Sequence, residues 1–266
     1  TVYHELVDGS EKYIMVLSDR TGEKRNDERL LQALDVAQNA NAAKSSFLSN
    51  MSHDIRTPLN GIIGMTAIAR SSLSSRERVA DCLDKIAFSS RHLLGLINDI
   101  LDMSKIESGK MTLHYEPFSI EQLVEGVMEI IRPQAAVKEQ ELTTRIIVRR
   151  GEVQGDILRL NQVLLNLLSN AVKYTQNGGH ILFQVEELEK APANHAGFRF
   201  TVKDDGQGMS EEFLKTIFEP FSREKTSAVA RTQGTGLGMS ICKGIVDLLG
   251  GVIRAESRRG EGSTFT

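Results

Sequence analysis

Two long stretches of heptad-spaced apolar residues, separated by a few polar positions, constrain this chain more than any other feature of its sequence. From about residue 27 to 70 the pattern is helical, and Leu48, Met51, Ile55, Leu59 and Ile62 step by three and four, the spacing that gathers side chains on one stripe. After a short break at Leu73-Ser74-Ser75, Val79, Leu83, Ile86, Leu93, Ile97 and Ile100 keep the same beat to about Gly109, with Ser90 and Ser104 at the remaining seam positions. Two long helices joined by so short a loop form an antiparallel hairpin. One such hairpin carries an apolar stripe that it cannot cover, so pairing with a second copy into a dimeric four-helix bundle is the expected solution.

Beyond Gly109 the texture changes from repeated heptads to short strands mixed with helices. Met111 to Phe118 reads as a strand ending at Pro117, followed by a helix from Ser119 to about Val137 and an alternating strand from Leu142 to Val148. Asp156 to Thr175 is strongly helical, His180 to Glu187 and Phe198 to Val202 read as strands, and Thr235 to Leu249 is a helix behind glycines. Val252 to Glu256 and Ser263 to Phe265 supply further strands. This order predicts an α/β sandwich of one sheet under a helical layer. The 266 residues have room for roughly two domains, so the expected fold class is α+β with two domains, the hairpin first and the sandwich second.

Composition removes several function classes. A net charge of -3 with scattered Lys and Arg gives no general attraction to nucleic acid. No run approaches the roughly 18 apolar residues that span a bilayer, so no membrane contact is expected within this piece. Cys82 and Cys242 stand alone in helical patterns, which suits two buried reduced thiols and a cytoplasmic setting. The start at Thr1 and the stop inside Gly-Glu-Gly-Ser-Thr-Phe-Thr266 read as a piece of a longer protein, which leaves open a membrane anchor elsewhere in the parent.

Two regions carry chemistry. In Phe-Leu-Ser-Asn-Met-Ser-His53-Asp54-Ile-Arg-Thr57-Pro58-Leu, the proline removes the helical partner of the Asp54 carbonyl and predicts a bend beside His53. His53 falls off the stripe of Met51, Ile55 and Leu59, so its ring faces solvent or a docking partner, where a neutral imidazole is a competent nucleophile. A lone helical histidine is by itself more often a plain surface residue. In the helix from Asp156, the polar residues Gln162, Asn166, Asn170 and Lys173 share one face and Leu164, Leu167, Leu168 and Ala171 the other. That face is either solvated or, through Asn166 and Asn170 one turn apart, offers two carbonyl oxygens to a hard cation such as Mg²⁺.

Asp204, followed by Gly206 and Gly208, puts a carboxylate beside backbone that a flat ligand can approach closely. Phe218-Glu-Pro-Phe-Ser-Arg223 precedes a segment rich in Ser, Thr and Ala that ends in Gly234-Thr-Gly236-Leu237-Gly238 at a helix start, where free N–H groups suit phosphate. The run has neither the Lys-Ser/Thr of a P-loop nor the preceding strand of a Rossmann fingerprint.

His-Asp-Ile-Arg-Thr-Pro-Leu resembles the phosphoacceptor motif of the dimerisation and phosphotransfer domain of sensor histidine kinases. The resemblance implies that His53 takes the γ-phosphoryl of ATP on one ring nitrogen. Asp54, where the family often has Glu, would hydrogen-bond the other nitrogen and act as base, and Thr57 would help position water when the partner is dephosphorylated. In order, NxLxNAxKYT, DxGxG, FxPFxR and GTGLG resemble the motifs of the Bergerat-type ATPase domain over residues 156 to the end. That likeness implies Asn166 and Asn170 as holders of Mg²⁺ and phosphate, Lys173 on phosphate and Tyr174 against the nucleoside. It implies Asp204, flanked by Gly206 and Gly208, as the adenine reader, and residues 222 to 233 as an ATP lid. Arg223 would reach the γ-phosphate, with Gly234, Gly236, Leu237 and Gly238 cradling the others. Gyrase-like relatives carry a glutamate one turn before the metal asparagine, where this chain has Asn166, which points to transfer rather than hydrolysis.

Residues 1 to 22 are similar to the last strands of a PAS sensor domain, 23 to 46 to a signalling helix, 47 to 110 to the dimerisation and phosphotransfer domain and 111 to 266 to the ATP-binding catalytic domain. Together these imply a homodimeric, ATP- and Mg²⁺-dependent kinase of His53 whose partner is a response-regulator receiver domain. A core that mainly dephosphorylates its partner and a degenerate, ATP-gated interaction module are the competing readings.

Overall fold

The computed structural model describes residues 54–149, 151–189, 196–224 and 235–266, with the short segments 2–7, 10–15, 34 and 51–52. The chain divides into two compact units, residues 1–54 and 55–266. In the first, β1 (Val2–Val7) and β2 (Ser10–Met15) pair antiparallel, Val2 opposite Met15 and Val7 opposite Ser10. The Asp8-Gly9 dipeptide between the two is the sequence signal for a tight hairpin. Most of the expected signalling helix, together with Leu48, His53 and residues 225–234 of the expected lid, lies outside the described residues.

In the second unit, α1 (residues 55–71) and α2 (Arg76–Glu107) form the helical hairpin. The polar break expected at 73–75 is its turn: the Ser75 hydroxyl caps α2 by accepting from the Arg78 N–H at 3.4 Å, and Ser75 N donates to the Ser72 carbonyl. Cys82 and Leu96 are buried, whereas Leu83, Phe88, Leu94, Ile97 and Leu101 remain 42–65% exposed in the single chain. Leu83, Leu94, Ile97 and Leu101 recur at helical intervals, so α2 carries an apolar face that the described residues leave partly exposed. Among the described residues no helix is long and apolar enough to cross a membrane.

The α/β region begins where Met111 closes the hairpin's end, its N–H donating to the Lys105 carbonyl. Met111 is buried there and not in a strand; the strand is the shorter β3 (Glu116–Ser119). It pairs antiparallel with β5 (Glu152–Gly155), an element too short and polar to read from sequence. Helix α3 (Ile120–Val137) follows, capped by the Ser119 hydroxyl, and then β4 (Glu141–Ile147), α4 (Ile157–Tyr174), β6 (His180–Glu187) and β7 (Phe198–Asp204). A one-and-a-half-turn α5 (Glu211–Thr216), also unanticipated, precedes α6 (Gly238–Leu248). The strand expected over 252–256 lies later, as β8 (Ala255–Arg258), and β9 (Gly262–Phe265) ends the chain.

The main sheet has the order β4-β6-β7-β9-β8, parallel only between β4 and β6. Alternation along β6 buries Ile181, Phe183 and Val185. The apolar stripes of the helices are buried as well: Leu123, Val127 and Ile131 of α3, Leu164 and Leu168 of α4, and Ile241 and Ile245 of α6. Each such aliphatic side chain taken from water stabilises the fold by about 2 kcal/mol. The α+β, two-part architecture is as the sequence predicts, and both cysteines are buried thiols.

Candidate nucleotide site

Helix α4 carries the site, and its start is pinned. The buried Asp156 caps it by accepting from the Arg159 N–H at 3.0 Å, while its second oxygen accepts from the His114 N–H at 2.9 Å. From that origin the helical period sets Leu164, Leu167, Leu168 and Ala171 in the core and turns Asn166, Asn170, Lys173 and Tyr174 into a cavity of about 690 Å³. Its volume falls in the range of small-molecule sites. The polar face of α4 is thus partly enclosed by the cavity walls. Gln162, at the start of that face, instead donates to Asp102 of α2 at 2.8 Å.

Asp204, at the end of β7, also lines the cavity and is buried. Burial pushes its carboxyl above the ordinary carboxylate range, against the opposing effect of N–H donors from Gly206 and Ser263. The turn after it is shaped by the protein's own backbone rather than by room for a ligand. A Cβ at Gly206 would stand 2.6 Å from the Tyr174 carbonyl oxygen, and one at Gly208, whose φ is +61°, would stand 1.9 Å from that of Arg258. Gly208 reaches the cavity wall, whereas Gly206 lies behind it.

Lys173 and Arg223 bring positive charge to the same cavity. Burial lowers the Lys173 pKa and the Arg223 guanidinium lowers it further. Lys173 Nζ also lies 5.0 Å from the centre of the Tyr174 ring. Burial raises the Tyr174 phenol pKa and Arg223 opposes the shift. Beyond residues 225–234, Thr235, Gly236 and Gly238 line the cavity, while Leu237 is fully buried. The Thr235 hydroxyl accepts from the Leu237 N–H at 3.1 Å and so holds the first turn of α6. Asn170 Nδ2 donates to the Met239 sulfur at 3.6 Å, and Asn166 lies against Gly238 and Cys242. Burial drives that thiol up to about 12, which makes it inert.

One wall has no counterpart in the sequence reading. Arg91, His92, Gly95, Leu96 and Asp99 of α2 line the cavity, which places the hairpin directly against the site. Asp102 pairs with Arg159 at 3.1 Å, with side chains 14% and 17% exposed, and Arg159 in turn donates to Gln162 at 2.7 Å. The Thr235 hydroxyl donates to Asp99 at 3.4 Å, and Ile106 packs so tightly on α6 that a Cβ at Gly244 would stand 2.7 Å from it. Asp99 and Asp102 fall off the heptad stripe, which marks them as non-core. A pairing across some 60 residues has no local signature.

Among the described residues no three His, Cys, Asp or Glu side chains gather in a metal-binding group. The donors that fit a hard cation here are the Asn166 and Asn170 amide oxygens, which suit an ion that takes its remaining ligands from phosphate and water. Asp54 and Thr57 lie in helical backbone, half-buried and exposed respectively.

The profile of the His Kinase A (phospho-acceptor) domain matches residues 43–109. That of the histidine kinase-, DNA gyrase B- and HSP90-like ATPase matches residues 155–266. The chain is 38% identical over 237 residues to the sensory/regulatory protein RpfC of Xanthomonas campestris, covering 89% of this chain and 32% of that protein. It is 42% identical over 240 residues to the sensor protein GacS of Pseudomonas syringae, covering 87% and 26%. The chain therefore spans about a third or less of the length of these relatives. Full-length ShkA in complex with AMPPNP superposes with a TM-score of 0.61 at 30% identity, covering 82% of this chain and 44% of that one. With a phospho-acceptor hairpin followed by this ATPase domain, the chain belongs to the sensor histidine kinases.

Proposed function

We propose that this chain binds ATP with Mg²⁺ and transfers the γ-phosphoryl group to a ring nitrogen of His53, from which it passes to an aspartate of a response-regulator receiver domain. The observation that carries the reading is the lining of one 690 Å³ cavity. It combines a buried acid, Asp204, with two cations, Lys173 and Arg223, close enough to repel each other. Repulsion between the half-buried Lys173 and the exposed Arg223 beside it is relieved by a polyanion, and an acid in the same cavity selects an adenine amine. Asn166 and Asn170 would hold the Mg²⁺, which supplies charge neutralisation on the phosphates. Lys173 and Arg223 would orient the terminal phosphate, the part that positioning and electrostatics play in phosphoryl transfer generally.

Asp54 would hold the proton on one His53 nitrogen so that the other is free to attack, and Thr57 would orient water for removal of phosphate from the receiver. The exposed Leu83, Leu94, Ile97 and Leu101, which share one face of α2 at helical spacing, support a homodimer through the hairpin. Residues 47–110 would thus be the dimerisation and phosphotransfer domain and 111–266 the catalytic domain.

Incubation with γ-labelled ATP and Mg²⁺ tests the reading. Acid-labile, base-stable label is expected on the wild-type chain and none on His53→Gln. Full incorporation by His53→Gln, or absence of adenine-nucleotide binding by the wild type, would overturn it.

A further inference from the structure

The last turn of α4 holds Asn170, Lys173 and Tyr174, and helix ends leave four carbonyls without intrahelical donors. Here each of the four has a partner. The Ala171 carbonyl accepts from the Thr175 N–H at 3.0 Å and that of Tyr174 from the Gln207 N–H at 3.3 Å. The other two are met by side chains from the turn between α3 and β4. Lys138 Nζ donates to the Val172, Lys173 and Thr175 carbonyls at 2.8, 2.9 and 3.2 Å. Gln140 Nε2 donates to those of Val172, Thr175 and Gln176 at 3.1, 2.9 and 3.2 Å.

The two side chains share the Val172 and Thr175 carbonyls because the residue between them, Glu139, takes a φ of +54°. A residue with a Cβ adopts that conformation only at a cost, and it is retained where the surroundings over-determine it. The Gln140 amide is also committed to this task. Its nitrogen serves three carbonyls, and its oxygen is buried with no hydrogen-bond partner among the described residues. Burying an acceptor unmet is unfavourable, so the donors on the other side of the amide set its orientation. An ammonium at the negative end of a helix is favoured by the dipole as well.

Resting on the nucleotide-binding reading above, we infer that Lys138 and Gln140 are positioning residues of the nucleotide site. They fix where α4 ends and thereby hold Lys173, Tyr174 and the Asp204–Gly208 turn in register. That turn depends on the same helix end: Gln207 hydrogen-bonds the Tyr174 carbonyl, and Gly206 packs on it too closely for a side chain. Neither residue lines the cavity, so their effect on nucleotide passes through the α4 backbone.

The test compares Lys138→Met, Lys138→Arg and the isosteric Gln140→Glu with wild type. ATP affinity is measured by titration calorimetry well below each variant's melting temperature, and autophosphorylation by label at saturating ATP. Ser119→Ala, which removes the N-cap of α3 and the hydroxyl's bond to Glu121, away from the α4 end, controls for lost stability. A charge-assisted hydrogen bond sets the scale, so Lys138→Met is expected to weaken ATP binding at least about tenfold. Its saturated rate is expected to stay within about twofold of wild type, and Lys138→Arg to regain most of the affinity. Gln140→Glu, which sets an acceptor against three carbonyls, is expected to weaken ATP binding at least as much. Unchanged ATP affinity in folded Lys138→Met, or an equal loss in Ser119→Ala, would overturn the inference. Failure of the wild type to bind ATP would instead overturn the functional reading beneath it.

Discussion

Replacing Gly208 by alanine provides a quantitative test of the turn behind the cavity. At a φ of +61° the added Cβ would lie 1.9 Å from the Arg258 carbonyl oxygen. A carbon–oxygen contact needs about 3.3 Å, so one backbone must retreat by about 1.4 Å. The left-handed conformation alone costs an alanine about 1 kcal/mol. The retreat also breaks the bonds that tie this turn to the β8–β9 hairpin, Gly260 N–H to the Gln207 carbonyl at 2.8 Å and Met209 N–H to the Ser257 hydroxyl at 2.9 Å. At about 1 kcal/mol each, the sum is about 3 kcal/mol, or about 10 °C in melting temperature for a chain of this size. Gly250 is the matched control, with a φ of +72° and nothing within 4 Å of its Cβ position. Gly250→Ala should lose only the conformational part, about 3 °C. Melting curves by circular dichroism decide the matter: equal losses in the two variants would show that the Arg258 contact carries no weight.

Two further outcomes follow from contacts in the same unit. Asp102→Asn removes the carboxylate that both Arg159 and Gln162 engage across the seam between α2 and α4; with charged hydrogen bonds worth about 2 kcal/mol in such half-enclosed settings, amide exchange in the first two turns of α4 should accelerate at least about tenfold, and an unchanged exchange profile would exclude a latch at that seam. The ring of His180 pairs with Asp205 at 2.8 Å, and this hydrogen bond, with the charges of Asp205 and Glu141, raises its pKa above the ordinary value. Burial would raise the Asp205 carboxyl, yet the hydrogen bonds and charge of His180 hold it below the ordinary value. The stabilisation from His180 is therefore full below its unfolded pKa and lost as pH rises through the raised one; that from Asp205 is full above its unfolded pKa and lost as pH falls through the lowered one. Nuclear magnetic resonance titration should show His180 returning to an ordinary pKa in Asp205→Asn, and no change in that variant would refute the pairing.

Much of the chain was legible because its signals are local. Heptad spacing in 76–107, the helical periods that begin near Ser119 and Asp156, and alternation in β6 are each written within a few residues, and the corresponding elements lie where the periods put them. The amide face of α4 was equally visible, since Asn166, Asn170 and Lys173 recur at helical intervals and do share a cavity. The boundaries that slipped are places where periodicity is absent. The stretch before β3 contains Met111, whose apolar side chain looks like strand but is buried at the end of the hairpin. β5 and α5 are too short to show a period.

By itself the sequence determined the helical hairpin, the α/β sandwich behind it and the kinds of side chain available to a nucleotide, because these depend on spacing along the chain and on residue chemistry. Only the tertiary structure decided that α2 forms a wall of the cavity, that Asp102 meets Arg159, that Gly206 and Gly208 are required by neighbouring backbone, and that Lys138 and Gln140 close the end of α4. Those contacts join residues tens of positions apart. Which donor meets which carbonyl is set by the packing of whole elements, a property that no local pattern encodes.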